Sequence, residues 1–278
     1  MAFLDFGAPD RPVDAVFLHA NGFNAQTYRH ILDPLASSYR ILAVDQRGHG
    51  HTSLDTSLAG RRDWLDLRDD LLAFLHVLEL DQVVLSGHSM GATASLLAAA
   101  VDPRRCRHLV LFDPVILPPD HGVVPEGSPL VLGAQKRRSV FPSRAEAARS
   151  YKGRGAFKTW PDEILADYIA AGFRDLPDGE VALACSPAWE ASGFAAHGHD
   201  PWEALRNTSC QIDILRAETA STFQLGDAHN LPGARVRITT VPGSTHFLPM
   251  ERSDLIALTL GKAIAARASR AVRSPTRA

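Results

Sequence analysis

The stretch that most constrains this chain is Gln82-Val83-Val84-Leu85-Ser86-Gly87-His88-Ser89-Met90-Gly91, followed by the small-residue run Ala92 to Val101. A short β-branched run leads into Gly-x-Ser-x-Gly, and a helical segment leads out of it. Alone, the pentapeptide recurs by chance. Between a strand and a helix it describes a turn so sharp that the serine is forced into a strained backbone conformation with its hydroxyl pushed clear of the sheet. Gly87 and Gly91 leave no Cβ between the strand and the helix at their closest approach. The Met90 N–H, at the start of the helix, lies where a developing oxyanion can accept from it. Ser89 is therefore the candidate nucleophile.

Periodicity around this turn extends the pattern. Ala15 to His19 reads as a buried strand entering a loop, with Asn24 placed to cap the helix that carries Tyr28, Ile31, Leu32 and Leu35. Arg40 to Val44 is a second buried strand. From Arg61 to Leu80, Trp64, Leu67, Leu71, Phe74, Leu75 and Leu78 keep helical spacing. His108 to Phe112 is another strand, ended by Asp113-Pro114. Such alternation argues for a doubly wound, mostly parallel α/β sheet covered on both faces. After Asp113 the β-branched runs give way to prolines, a basic cluster (Lys136, Arg137, Arg138) and helical patches such as Pro161 to Gly172, as expected of an inserted, mainly helical cap. Strands resume at Gln211 to Leu215 and Arg235 to Ile238, and a last helix runs to about Arg267. The expected organisation is a core of residues 1–114 and 203–268, a cap of 115–202 and a disordered basic tail of 269–278.

Bulk composition narrows the class further. The 278 residues suffice for one large α/β domain, and a formal net charge of −2 gives no general attraction to nucleic acid or anionic membrane. Cys106, Cys185 and Cys210 are an odd, widely spaced set, unlike a disulfide framework or a metal knuckle, which fits a reducing compartment. No apolar run approaches the ~20 residues that a membrane-spanning helix needs, and the first residues lack the pattern of a signal peptide. The expectation is a cytoplasmic protein that acts on a small molecule, with no cofactor and no metal, as a possible homodimer.

Four segments together carry a resemblance: His19-Ala-Asn-Gly-Phe23, Asp45-Gln-Arg-Gly-His-Gly50, Gly87-His-Ser-Met-Gly91 and Gly243-Ser-Thr-His246-Phe, each following a strand and all in this order. With them the chain resembles the α/β-hydrolase family over all but the insertion. The resemblance implies a Ser–acid–His triad in that chain order, an oxyanion hole after the first segment and a cap over the site. A serine hydroxyl needs a base to take its proton, and imidazole suits that task at neutral pH. The family's histidine corresponds to His246.

The acid departs from the commoner pattern. Most relatives carry it shortly after the seventh sheet strand, where this chain reads Leu215-Arg-Ala-Glu-Thr-Ala-Ser-Thr222, with Ala220 or Ser221 at the expected place. Asp113, at the end of the sixth strand, where some relatives keep their acid, is favoured. Glu218 is the alternative. The oxyanion donors are expected to be the N–H groups of Asn21 and Met90, with Gly22 as a fallback. The Asp45 to Gly50 segment reads as a brace beside the elbow.

The resulting expectation is a serine hydrolase cleaving an ester-like bond of a small-to-medium, largely apolar substrate. Carbon–carbon, lactone, amide or thioester hydrolysis is the runner-up, and a non-catalytic ligand-binding relative is the rival from another class. Phe141, Phe157, Trp160, Tyr168 and Trp189 of the insertion read either as substrate contacts or, for most of them, as its core.

Overall fold

The computed structural model of the chain describes residues 1–117, 127–224, 231 and 235–271. In chain order, β1 (Phe3–Phe6) and β2 (Ala15–Leu18) lead to a 3-10 turn and the short helix α1 (Arg29–Leu32), followed by β3 (Ile41–Val44), α2 (Leu65–Val77), β4 (Val83–His88), α3 (Met90–Val101) and β5 (Cys106–Phe112). The next segment contains α4 (Pro129–Gln135), β6 (Val140–Phe141), α5 (Arg144–Tyr151), α6 (Asp162–Ala171), β7 (Phe173–Asp175), β8 (Val181–Leu183), α7 (Pro187–Ala195) and α8 (Pro201–Asn207). The chain then returns through β9 (Gln211–Ala217), β10 (Val236–Val241), α9 (Leu248–Glu251) and α10 (Ser253–Ala271).

One seven-stranded sheet has the order β1-β3-β2-β4-β5-β9-β10, parallel throughout except for β1, which pairs antiparallel with β3. Successive side chains of a strand point to opposite faces. In β2, Ala15 and Phe17 accordingly join a core with Tyr28, Ile31, Ile256 and Leu260, whereas Val16 and Leu18 join Leu71, Leu75, Leu96 and Trp202 on the other face. Fully buried strands such as these carry continuous apolar runs, and that explains their legibility.

Several expected boundaries move. The helix expected over Arg61 to Leu80 forms only over Leu65–Val77. The edge strand β1 was not anticipated; its four residues offer no period, and Phe3 is left 42% exposed. The inserted segment is not purely helical: β6, β8 and β7 form a small antiparallel sheet of two- and three-residue strands, too short to leave a pattern in sequence. Its last helix, α8, packs on α3 and buries Trp202 against Phe223, so the contacts of the core begin near residue 200. The final helix continues to Ala271, into the stretch expected to be a disordered tail, and the remaining tail (272–278) lies outside the described residues.

Candidate active site

The turn between β4 and α3 holds Ser89 at φ 55°, ψ −120°, the left-handed side of backbone space that a non-glycine residue enters only under constraint. The constraint is visible. Ser89 N–H donates to Phe112 O at 3.0 Å, and its carbonyl accepts from Thr93 N–H at 3.1 Å. A Cβ on Gly91 would sit 2.5 Å from the carbonyl oxygens of Leu18 and His19, and one on Gly87 would sit 2.6 Å from the Gly91 carbonyl carbon. The start of α3 is thus pressed against the ends of β2 and β4, leaving no room for a side chain at either glycine.

His246 lies in the loop between β10 and α9. Its Nε2 is 3.0 Å from Ser89 Oγ and its Nδ1 is 2.6 Å from Asp113 Oδ2. Asp113 is fully buried at the end of β5. Its carboxylate also accepts from Ala217 N–H (2.8 Å), Ser221 Oγ–H (2.6 Å) and Thr222 N–H (3.0 Å). Burial alone would raise the Asp113 carboxyl, but His246 and the donors of Ser221 and Ala217 outweigh it and hold it below the usual carboxylate range. The loop after β9, where relatives more often carry the acid, instead supplies the donors that surround Asp113. Glu218, the alternative acid, points elsewhere: its Oε2 accepts from Gly243 N–H at 2.9 Å and clamps the turn that precedes His246.

Asn21 and Met90, whose N–H groups are the expected oxyanion donors, line the same cavity as Ser89, and those N–H groups have no protein acceptor among the described residues. The fallback donor, Gly22 N–H, already donates to His49 Nε2 at 3.0 Å. The Asn21 side-chain amide donates to Glu190 O at 2.8 Å, so it is engaged with α7. His19 fixes the loop: Nε2 accepts from Gln46 N–H and Nδ1–H donates to Ala20 O.

Sequence reasoning missed one connection. His88 Nε2 lies 2.8 Å from His246 O, a group that can only accept, so Nε2 carries the proton. Its Nδ1 then accepts from Tyr28 O–H at 2.8 Å, and the Tyr28 oxygen accepts from Ala20 N–H at 3.1 Å. Burial, then the neighbouring His246, lowers His88 to about 3, and it is neutral at ordinary pH. The motif placed His88 beside Ser89, but its partners come from loops far away in sequence. The Asp45 to Gly50 segment is the expected brace: Asp45 accepts from Ala25 and His51 N–H groups, and Arg47 pairs with Asp70 through two nitrogens.

Ser89 and His246 open onto a cavity of about 880 Å³, walled on the far side by residues from the inserted segment, including Pro129, Tyr151, Phe157 and Phe194. Of the five aromatic residues singled out from the sequence, only Phe157 lines this cavity; Phe141, Trp160, Tyr168 and Trp189 are buried elsewhere. His197 and His199 flank the Trp64 ring, and the described residues contain no group of three or more side chains able to hold a metal. Cys185 is a buried thiol pushed up by burial. Cys106 and Cys210, far apart in sequence, have Sγ atoms 3.7 Å apart and remain free.

A parallel sheet with helices on both faces, turning at a strained serine that meets an imidazole and a buried carboxylate, defines the α/β-hydrolase class. The chain belongs to the Alpha/beta hydrolase family, whose profile it matches over residues 15–257. It is similar to the 2-(acetamidomethylene)succinate hydrolase of Mesorhizobium japonicum, 23% identical over 84% of this chain and 81% of that protein. It is also similar to the N-formylmaleamate deformylase of Pseudomonas putida, 30% identical over 51% of this chain and 50% of that one. The crystal structure of E-2-(acetamidomethylene)succinate hydrolase superposes with a TM-score of 0.78 at 22% identity, covering 94% of both chains. These relatives support a hydrolase, and no helix among the described residues is long and apolar enough to cross a membrane.

Proposed function

We propose that the protein is a cofactor-free serine hydrolase that cleaves an ester-like bond of a small-to-medium substrate, with the inserted segment as a cap over the site. The observation that carries this reading is the continuous hydrogen-bonded line from Ser89 Oγ through His246 to Asp113, at 3.0 and 2.6 Å. Ser89 Oγ attacks the carbonyl carbon as its proton passes to His246 Nε2. The new C–O bond leaves the carbonyl oxygen negative, within reach of the Asn21 and Met90 N–H groups. Collapse breaks the bond to the leaving oxygen, which takes the proton from His246 and departs as the alcohol. Water then gives its proton to His246 and attacks the acyl-enzyme, releasing the acid and restoring Ser89. Asp113 holds Nδ1–H and stabilises the imidazolium throughout. A cavity of about 880 Å³ with mostly apolar walls suits a substrate of this size.

The relatives' names contain acetamido and N-formyl groups, which favours hydrolysis of an amide-type C–N bond as the second reading. Steady-state hydrolysis of p-nitrophenyl esters of graded chain length, set beside the matching anilides, separates the two. Turnover of either series that disappears in Ser89→Ala supports the mechanism. Turnover that survives Ser89→Ala removes Ser89 from it.

A further inference from the structure

The cavity contains a charged cluster that the proposed chemistry does not use. Arg137, just after α4, reaches Glu190 of α7, with Nη1 2.5 Å from Oε2, and its Nη2 donates to the hydroxyls of Tyr168 (2.9 Å) and Tyr151 (3.2 Å). Arg154 lines the same cavity. Its backbone N–H is bonded to Tyr151 O at 3.0 Å, which brings both arginines to the wall around Tyr151. Glu190 compensates the charge of Arg137. The exposed Arg154 guanidinium has neither a hydrogen-bond acceptor nor an ion-pair partner among the described residues. Among the described residues of the lining Glu190 is also the sole carboxylate, so with the histidines counted as neutral these residues carry one excess positive charge, in a chain whose formal net charge is −2.

An arginine at an ordinary surface is screened by water. Beside an apolar wall its field is focused into the cleft. A planar guanidinium matches a carboxylate through two parallel hydrogen bonds. The single excess charge balances a monoanion and would leave a dianionic phosphate half compensated.

We infer that the substrate carries a carboxylate away from its reacting carbonyl, held by Arg154 with Arg137 behind it. The inference deepens the hydrolase reading of Ser89 and rests on it. The orientation follows: the carboxylate anchors one end of the substrate at the Tyr151 wall, and the apolar chain spans the cavity to Ser89.

The test compares kcat/KM for mono-p-nitrophenyl adipate and p-nitrophenyl hexanoate, which have acyl chains of equal length. The expected preference for the half-ester is about tenfold or more, shrinking with added salt. Arg154→Ala brings the ratio toward one, and Arg154→Lys, which keeps a point charge without the fork, retains part of it. A neutral ester that is preferred, or a ratio identical in Arg154→Ala, overturns the inference. A second arm needs no turnover. Hexanoate and hexanamide are titrated calorimetrically into Ser89→Ala and Ser89→Ala/Arg154→Ala. Tighter hexanoate binding that depends on Arg154 upholds the anion subsite; equal binding of the two ligands sinks it. If neither ester is turned over, the ester reading of Ser89 fails, and the binding arm still decides the subsite.

Discussion

Asp113→Asn isolates the least conventional part of the site, and its effect can be worked from the hydrogen bonds. Oδ1 accepts from Ala217 N–H and Ser221 Oγ–H, and Oδ2 accepts from Thr222 N–H and His246 Nδ1–H. An asparagine has one carbonyl oxygen and one NH₂ to serve four donors. With the NH₂ in the Oδ2 position it faces Thr222 N–H and donates to His246 Nδ1, which drives the imidazole proton onto Nε2. The nitrogen facing Ser89 then has no lone pair for the serine proton. With the amide flipped, the NH₂ faces Ala217 N–H instead. Either way a buried donor meets a donor, at a cost of about 1–3 kcal/mol in stability. The wrong tautomer in a serine protease triad costs about 10⁴ in kcat, equivalent to roughly 5 kcal/mol of barrier. The same order is expected here. The assay is kcat/KM on a p-nitrophenyl ester, with circular dichroism to show that the variant is folded. Glu218→Gln is the companion, because its amide oxygen still accepts from Gly243 N–H and exposed substitutions cost about 0.5 kcal/mol or less. Asp113→Asn retaining a tenth of the activity, or Glu218→Gln matching Ser89→Ala, refutes the reasoning.

Three further outcomes follow from the same geometry. His88→Ala removes the bridge between Tyr28 O–H and His246 O. It should lower kcat far more than it raises KM, because His246 and the Asn21 loop both lose a tether; a KM-only effect would contradict that role. Gly91→Ala forces a Cβ to 2.5 Å from two carbonyl oxygens and should cost about 1–3 kcal/mol or more, read as a drop of several degrees in Tm, and unchanged melting would show that the elbow is looser than described. Stability should also fall as pH drops below 6.5. Burial, the largest cause in each case, lowers His19, His49, His88 (to about 3) and His199 (to about 4), so the unfolded chain takes up protons first. Each such histidine contributes a slope of up to about 1.4 kcal/mol per pH unit below 6.5 until its folded value is reached. Asp113, lowered in the fold, adds the same sign below its ordinary 3.8, whereas Glu190, raised chiefly by burial, opposes it. Urea midpoints that stay flat from pH 6.5 to 5 would contradict the histidine account.

What the sequence revealed and what it hid divide along a physical line. Ser89 and His246 are legible because local context specifies them: a strand, a tight turn, a helix. The buried strands β2 to β5 show as apolar runs for the same reason. The carboxylate that bonds His246 is harder to read, since its environment is assembled from two loops that meet only in space. Asp113 was favoured at the end of β5, yet nothing in the sequence announces that Ala217, Ser221 and Thr222 supply its donors. The Tyr28–His88–His246 bridge and the Cys106–Cys210 approach are likewise products of sheet order. The strands β6 to β8 escape because two or three residues cannot display a period. The insertion's aromatic residues were readable as buried, but which of them faces the cavity depends on packing that no periodicity encodes.

The most direct test of the central claim is covalent. Wild-type protein is treated with a fluorophosphonate, and the adduct is mapped by peptide mass spectrometry, with His246→Ala and Asp113→Asn in parallel. The account predicts one stoichiometric adduct on Ser89, formed orders of magnitude more slowly in either variant. An unlabelled Ser89, or a labelling rate indifferent to His246 and Asp113, would contradict it.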